Sequence, residues 1–353
     1  ASGFRIEHVC PFGKSVISYS NDGGETYTFP APVIDTPLDD RDAGICTFGD
    51  KGVIFTTFNN SAEVQREYNK DNDYVQRYID TITPEDEEKY LGALFRISND
   101  CGITFGEIHH SPITSPHGPI QLKNGTVIWA GTRFDDIFCG IEVRILDTES
   151  GETELIGKIT SSDKNVVLNE PHMVELPNGR LICHIRGENA ELFHGGDETL
   201  FTVFQSVSDD GGRTWSEPEM LLDETGGAPP HLKLLSNGAL LCVYGRRKQP
   251  YGIMAMVSTD GGESWEESSA QTTFHSEFAC ANPAIIQLDS GEILLAYRAL
   301  GYINDKHYGA IHVSSSIDGG KSWGDIIAGV GGGNIKIVAD LFDEDKLYIC
   351  DYE

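Results

Sequence analysis

Four stretches of the chain share one pattern of apolar and polar positions. PIQLKNGTVIWAGTR, PHMVELPNGRLICHIR, PHLKLLSNGALLCVYGR and PAIIQLDSGEILLAYR begin at Pro119, Pro171, Pro230 and Pro283. Each reads as an apolar strand, an Asn-Gly-like pair that favours a tight hairpin, and a second apolar strand. DAGICTFGDKGVIFTTF after Arg41 is a looser copy, and NIKIVADLFDEDKLYICDYE from Asn334 reads as a sixth. The remaining strands of that sixth unit are expected from the N-terminal segment around SVISYS, so that both ends of the chain close the ring.

A second motif alternates with the hairpins. SNDGGETY, SNDCGITF, SDDGGRTW, STDGGESW and SIDGGKSW start at Ser20, Ser98, Ser208, Ser258 and Ser316. Their aspartates, Asp22, Asp100, Asp210, Asp260 and Asp318, are separated by 78, 110, 50 and 58 residues. If the 110-residue gap holds two units, the chain divides into six units of about 59 residues, the length of a four-stranded propeller blade. The aspartate can accept backbone hydrogen bonds, the glycines can take positive φ, and the aromatic can bury itself between sheets. One carboxylate per turn is too few for a calcium site. The motif makes turns, and its chemistry ends there.

The segment 60–90 breaks the pattern. SAEVQREYNKDNDYVQRYIDTITPEDEEKY is polar and charged, partly helical in character, and reads as an insertion within the first blade. The whole chain, 1–353, is expected to form one domain.

Composition narrows the function. A formal charge of −29 opposes binding to nucleic acid, while leaving room for a small ligand at one local site. No run of eighteen apolar residues predicts a membrane span. The eight cysteines sit mostly in apolar runs without zinc spacing, which suggests buried thiols in a reducing compartment. A cytoplasmic location is the expectation, with secretion the alternative if a leader has been removed.

In an antiparallel hairpin the start of the first strand and the end of the second lie together. The flanking residues should therefore converge on one mouth. They are Arg41 and Asp42; His117 with Arg133; Glu170 and His172 with Arg186 and Glu188; His231 with Arg246 and Arg247; and Asn282 with Arg298. Several converging arginines point to an anionic ligand held bidentately. His117, His172 and His231, each beside a proline, suggest rim hydrogen bonding first and a three-histidine metal site second. No metal or other cofactor is expected.

The repeated S-x-D-x-G-x-T-W resembles the Asp-box, or BNR, signature of the sialidase superfamily, over nearly the whole chain. The resemblance implies an all-β six-bladed propeller, an arginine triad for a substrate carboxylate, an acid/base, and a tyrosine nucleophile assisted by glutamate. Arg41 resembles the arginine that opens the family's first blade. Glu170 and Arg186 resemble its glutamate-and-arginine hairpin, which would make Glu170 a base and Arg186 a carboxylate ligand. The chain departs from the family where a third arginine is due, at Met256, and where the tyrosine is due, at Asn282. Arg246 or Arg247 could supply the arginine; Tyr251, Tyr302 and Tyr308 are the loop tyrosines at hand. The acid/base is expected near Glu63 and Glu67.

These readings lead to a glycoside hydrolase acting on an acidic sugar, sialic acid or a relative. Glu170, Asp42 and Glu63 would be catalytic; Arg41, Arg186, Arg246, His117, His172, His231, Asn282 and Arg298 would bind substrate. The alternative is a carbohydrate-binding propeller without catalysis, which an acid/base group would distinguish. A protein-interaction propeller would instead need an apolar mouth.

Overall fold

The computed structural model describes residues 2–3, 9–223, 226–227, 229–246, 248–265, 271–276, 281–303, 306–324, 326–332, 336–337 and 349–350. It is an all-β propeller whose described residues form five blades rather than the six expected. The first contains strands Arg41–Phe48, Gly52–Phe58, Ala93–Ser98 and His109–Ser111. In the second, a split inner strand, Ile113–Thr114 and Ile120–Gln121, pairs with Val127–Arg133, followed by Ile141–Leu146 and Thr153–Ile159. The third runs from Val166–Glu175 through Leu181–Asn189 and Phe201–Ser208 to Glu219–Met220. The fourth comprises Pro230–Leu234, Leu240–Arg246, Tyr251–Ser258 and Gln271–Ser276. The fifth comprises Ala281–Gln287, Ile293–Ile303, Lys306–Ser316 and Ile326–Gly332.

Where the sixth blade is expected, the described residues form two smaller sheets. Ser2–Gly3, Lys14–Ile17 and Ala31–Ile34 form a three-stranded sheet, and Lys336–Ile337 pairs with Ile349–Cys350. No strand of one pairs with the other among the described residues. Most of the C-terminal copy of the hairpin, residues 338–348, lies outside them.

The core lies between successive blades. Ile128, Ile141 and Val143 of the second meet Leu168, Leu181 and Ile185 of the third. Leu232, Leu240 and Tyr244 of the fourth meet Ile182 and Val203 of the third. Val33 and Ile34 of the N-terminal sheet pack on Phe55 and Leu94, while Tyr27 packs on Leu294 and Val313 of the fifth blade. Alternation along each strand supplies an apolar face to each neighbour.

Four of the five repeated turns join third to fourth strands at the end opposite the mouth, as Ser98 opposite Val53 shows, and the one at Ser20 joins the last two strands of the N-terminal sheet. In all five the aspartate accepts the backbone N–H of the residue four positions on, at 2.8–3.0 Å, and that residue's hydroxyl as well. Those hydroxyls are the largest cause of holding the aspartates down to about 2. Trp215, Trp265 and Trp323 then pack into three inter-blade clusters. The second blade uses a different turn, in which Asp147 accepts the N–H groups of Glu149 and Ser150. That substitution explains why the 110-residue gap holds two units.

The insertion forms three short helices between the second and third strands of the first blade: α1 Ala62–Tyr68, α2 Asp73–Ile79 and α3 Pro84–Tyr90. Each is capped by a side chain, from Ser61, Asn72 and Thr83, and Thr83 with Asp86 makes a reciprocal capping box. The insertion leaves the blade at its mouth end, where Asn59 donates its N–H to the Gly92 carbonyl and accepts the Gly92 N–H. It is anchored on the N-terminal segment: Asn69 Nδ2 donates to the Val9 carbonyl at 2.9 Å, and Phe12 packs on Tyr74 and Tyr78. No helix among the described residues is long and apolar enough to cross a membrane.

Candidate functional site

The mouth is built by a repeated irregularity. In the first, third and fifth blades the inner strand carries a bulge near its start, where the register shifts between Arg41 and Gly44, Asn169 and His172, and Ala281 and Ala284. At each, two residues stand opposite one of the neighbouring strand. Asp42, Glu170 and Asn282 occupy the same place in these bulges, with φ of 51°, 46° and 54°. The only other described non-glycine residue with positive φ is Cys101. Left-handed backbone costs roughly 1–3 kcal/mol at a non-glycine residue, and such strain gathers at functional sites. Two carboxylates and an amide are thus held in strained, equivalent positions near the starts of three inner strands.

Each of the two carboxylates faces an arginine. Arg186 Nη1 lies 2.8 Å from Glu170 Oε2, an ion pair without hydrogen-bond alignment. Arg186 Nη2 also bonds the buried Glu188, whose second oxygen accepts Asn169 Nδ2 at 3.2 Å. The guanidinium rests on the Phe201 ring at 4.6 Å. Arg41, 6% exposed, stands 3.4 Å from Asp42 and 3.7 Å from Asp39, over the Phe58 ring. Asp40 next to it is buried and accepts Thr36 N–H, the Thr36 hydroxyl and Asn59 Nδ2. Burial pushes its carboxyl up to about 7. Both arginines are therefore already matched by at least two carboxylates each.

The three histidines do come together. Ring centroids are 4.1 Å apart for His172 and His231, 4.9 Å for His117 and His172, and 5.3 Å for His117 and His231. His172 Nδ1 accepts the Leu232 N–H at 2.9 Å and His231 Nδ1 the Ile285 N–H at 3.4 Å, so each ties its blade to the next. With Nδ1 accepting, the proton of each neutral ring sits on Nε2. Desolvation lowers all three, His117 to about 3. His172 and His231 stack, and His117 packs against them tilted and edge-on, as an uncharged group. No group of three or more His, Cys, Asp or Glu among the described residues is arranged to hold a metal ion.

Comparisons with known proteins bear on the fold. A family model for a BNR repeat-like domain matches residues 193–331. A protein of unknown function from Dyadobacter fermentans superposes with a TM-score of 0.67 at 19% identity, over 87% of this chain and 85% of that one. The NanB sialidase of Streptococcus pneumoniae gives 0.55 at 14% identity, over 84% of this chain and 61% of its own. An α-L-arabinanase of Penicillium chrysogenum, complexed with arabinobiose, gives 0.51 at 13%, over 85% of each chain. The chain shares the propeller fold of these solved structures. No curated protein matches its sequence significantly.

Within this propeller the remaining expected residues scatter. Glu63 lies exposed in the first turn of α1 and has no hydrogen bond or ion pair among the described residues. Glu67 pairs with Lys70 on the surface of the same helix. Arg246 is half-buried at the end of its strand; Arg298 is half-buried in the middle of Ile293–Ile303, opposite Ala281, because that strand runs on past the expected end; Arg247 lies outside the described residues. The side chains of Tyr302 and Tyr308 also lie outside them, and Tyr251 opens a strand. Met256 is 1% exposed in the core between the third and fourth blades, so that position cannot offer a charge to the mouth. Of the cysteines, Cys10, Cys46, Cys183 and Cys242 are buried as expected, Cys139 is half-buried and Cys101 exposed.

Sequence reasoning missed three features of the site. It did not find Asp39, Glu142 or the bulge itself. Glu142, at 1% exposure, gathers Arg133, Arg144 and Lys158, and so holds the second blade's arginine in place. The bulge had a faint signal: Glu170 and Asn282 each precede a proline, which biases a residue away from the helical region.

Proposed function

We propose that the protein is a glycoside hydrolase working at the mouth onto which Asp42, Glu170 and Asn282 are bulged. The observation that carries this is the recurrence of a strained, left-handed polar residue at the same place in three blades, twice a carboxylate beside an arginine. The fold is shared with an arabinanase and a sialidase, which supports carbohydrate as the ligand. In this reading Glu170 is the base or nucleophile, oriented by Arg186. Asp42 is the partner carboxylate, since glycosidases work with two, and Glu63 stands by only as an outlying candidate acid. The three-stranded N-terminal sheet, packed on the first and fifth blades, serves as the remaining sector of the ring.

The substrate class follows from the charge balance. An arginine that already faces two carboxylates has little attraction left for a third, and the surrounding Asp39, Asp42, Glu170 and Glu188 repel one. A neutral sugar suits this mouth best. One observation favours the acidic sugar instead: Arg186 Nε is buried and has no hydrogen-bond partner among the described residues. The non-catalytic binding propeller remains the contrasting class.

A panel of chromogenic glycosides tests all three, neutral furanosides and pyranosides beside α-sialosides and uronides. Release from a neutral glycoside supports the leading reading. Release from acidic glycosides alone, lost in Arg186→Ala, would replace it with the second. No release, together with oligosaccharide binding that survives Glu170→Gln, would make the protein a lectin.

A further inference from the structure

Two loops at the mouth end carry aromatic rings that water reaches. Phe134 follows Arg133 at the end of its strand in the second blade, and Phe138 lies in the short 3-10 helix Ile137–Cys139 just after it. In the third blade, Phe193 and His194 belong to the 3-10 helix Ala190–His194, directly after the strand that bears Arg186 and Glu188. Phe138 is 52% exposed, Phe193 39% and Phe134 37%. The Phe138 ring lies 6.0 Å from Phe193, edge to face, and 5.7 Å from His194 with the planes parallel within 1°. Phe138, Phe193 and His194 thus form one patch from two adjacent blades, with Phe193 and His194 on the loop that follows the strand of Arg186 and Glu188.

Both loops are held firmly. Asp136 accepts the Phe138 N–H at 3.1 Å. Asn189 donates to the Asp197 carbonyl and accepts the N–H groups of Thr199 and Leu200, while Ala190 N–H reaches the Asn165 carbonyl. Phe134 borders Gly92, whose φ of +112° and bare Cα leave that side open to the ring. The patch is built, since each loop has its own anchors.

We propose that Phe138 and Phe193, flanked by Phe134 and His194, form a platform for a sugar ring further along a glycan whose terminal unit occupies the mouth. This rests on the glycosidase reading and extends it from a single sugar to an oligosaccharide. The C–H face of a pyranose or furanose is apolar and lies well on an aromatic face. Its hydroxyls at the rim would meet Asp135, Asp136 and Glu191, all exposed around the rings. The exposed ring area, roughly 200–300 Å² in all given 150–250 Å² per aromatic side chain, falls far short of a protein interface of about 800 Å² per partner. It matches one or two sugar units.

The test is an array of neutral and acidic oligosaccharides of two to six units, probed with the wild type, Phe138→Ala/Phe193→Ala, Phe138→Tyr and Glu170→Gln. The best-bound oligosaccharide is then titrated calorimetrically, with melting temperatures as the folding control. The double variant should lose about tenfold in affinity for the oligosaccharide, with unchanged handling of the matching aryl monoglycoside. Phe138→Tyr should bind as the wild type does, since it keeps the ring. Equal binding by the double variant, equal loss on the monoglycoside, or no oligosaccharide bound at all would overturn the platform. If Glu170→Gln keeps wild-type turnover while the double variant still loses oligosaccharide binding, the platform stands and the assigned catalytic role of Glu170 falls.

Discussion

Arg186 bridges Glu170 and Glu188, holding a carboxylate of the mouth on one side and a buried one on the other. The Glu188 side chain is 1% exposed, so it depends on that guanidinium and on Asn169 for compensation. Arg186→Ala should therefore cost stability as well as activity. Breaking one partner out of a buried pair costs about 3–5 kcal/mol, and urea denaturation should find a loss approaching that range. Removing both charges together, in Arg186→Met with Glu188→Gln, should recover much of the stability and none of the activity.

Asn282 offers a cleaner separation of strain from chemistry, because its side chain is not tied to an arginine in the described contacts. At φ 54°, Asn282→Gly should be stabilising by roughly 0.5–1 kcal/mol, since glycine takes that backbone without a Cβ penalty. If the amide touches substrate, KM on the preferred glycoside rises in the same variant. A melting temperature that falls would show that the bulge at this site is not strained.

The turns at the far end should matter for the fold and not for chemistry. Ser208 is 2% exposed; its hydroxyl accepts the Gly212 N–H at 3.0 Å and donates to Asp210 at 2.9 Å. Ser208→Ala leaves a buried N–H without its partner, a loss of about 1–3 kcal/mol. Calorimetry should show the lower melting point, and kcat measured well below it should stay within twofold of wild type.

Acid should weaken the fold in two stages. His117 titrates near 6.5 when unfolded and near 3 when folded, because burial disfavours its charge. The unfolded chain binds the proton first, so this contribution is complete above pH 6.5 and declines as the pH falls toward 3. His117→Gln should flatten that part of the profile, and the stability difference between wild type and variant should shift steadily from pH 7 to 4. Asp40 works in the other direction, favouring the folded state as the pH falls from about 7 toward its unfolded value of 3.8. The five turn aspartates, held near 2, keep their contribution down to pH 3.8 and lose it as the pH falls through 2. Urea midpoints across the range, with a constant wild-type-to-variant difference, would contradict the role given to His117.

How much of this could be read from the chain depends on range. The hairpins announce themselves because a strand pair and its turn are local: Asn178-Gly179 and Asn237-Gly238 sit between apolar runs, and the structure turns there. Convergence of Glu170 with Arg186 followed from the same geometry, as they lie on neighbouring strands of one hairpin. The helices of the insertion were half legible; Ser61, Asn72 and Thr83-Pro84 are ordinary capping signals that a polar, charged stretch concealed. What the chain hid was relational. That Arg41 would be taken up by Asp39 and Asp42, and that three histidines from three blades would pack together, depends on neighbours over fifty residues apart or on local folding of one loop. Phe138 and Phe193 lie in loops, where no period marks them. The sixth unit was counted from the spacing of the turns and from the hairpin-like segment at Asn334, and neither ensures that two chain ends pair.

The most direct test of the account is turnover by Glu170→Gln on the best glycoside of the panel, measured beside the wild type with both melting temperatures. The change keeps shape and removes the base. The account predicts a fall in kcat of about 10²–10⁴-fold, the usual worth of a positioned acid or base, with the fold intact and oligosaccharide still bound. Wild-type turnover by the variant would contradict it, and would move the chemistry away from the bulged ring of Asp42, Glu170 and Asn282.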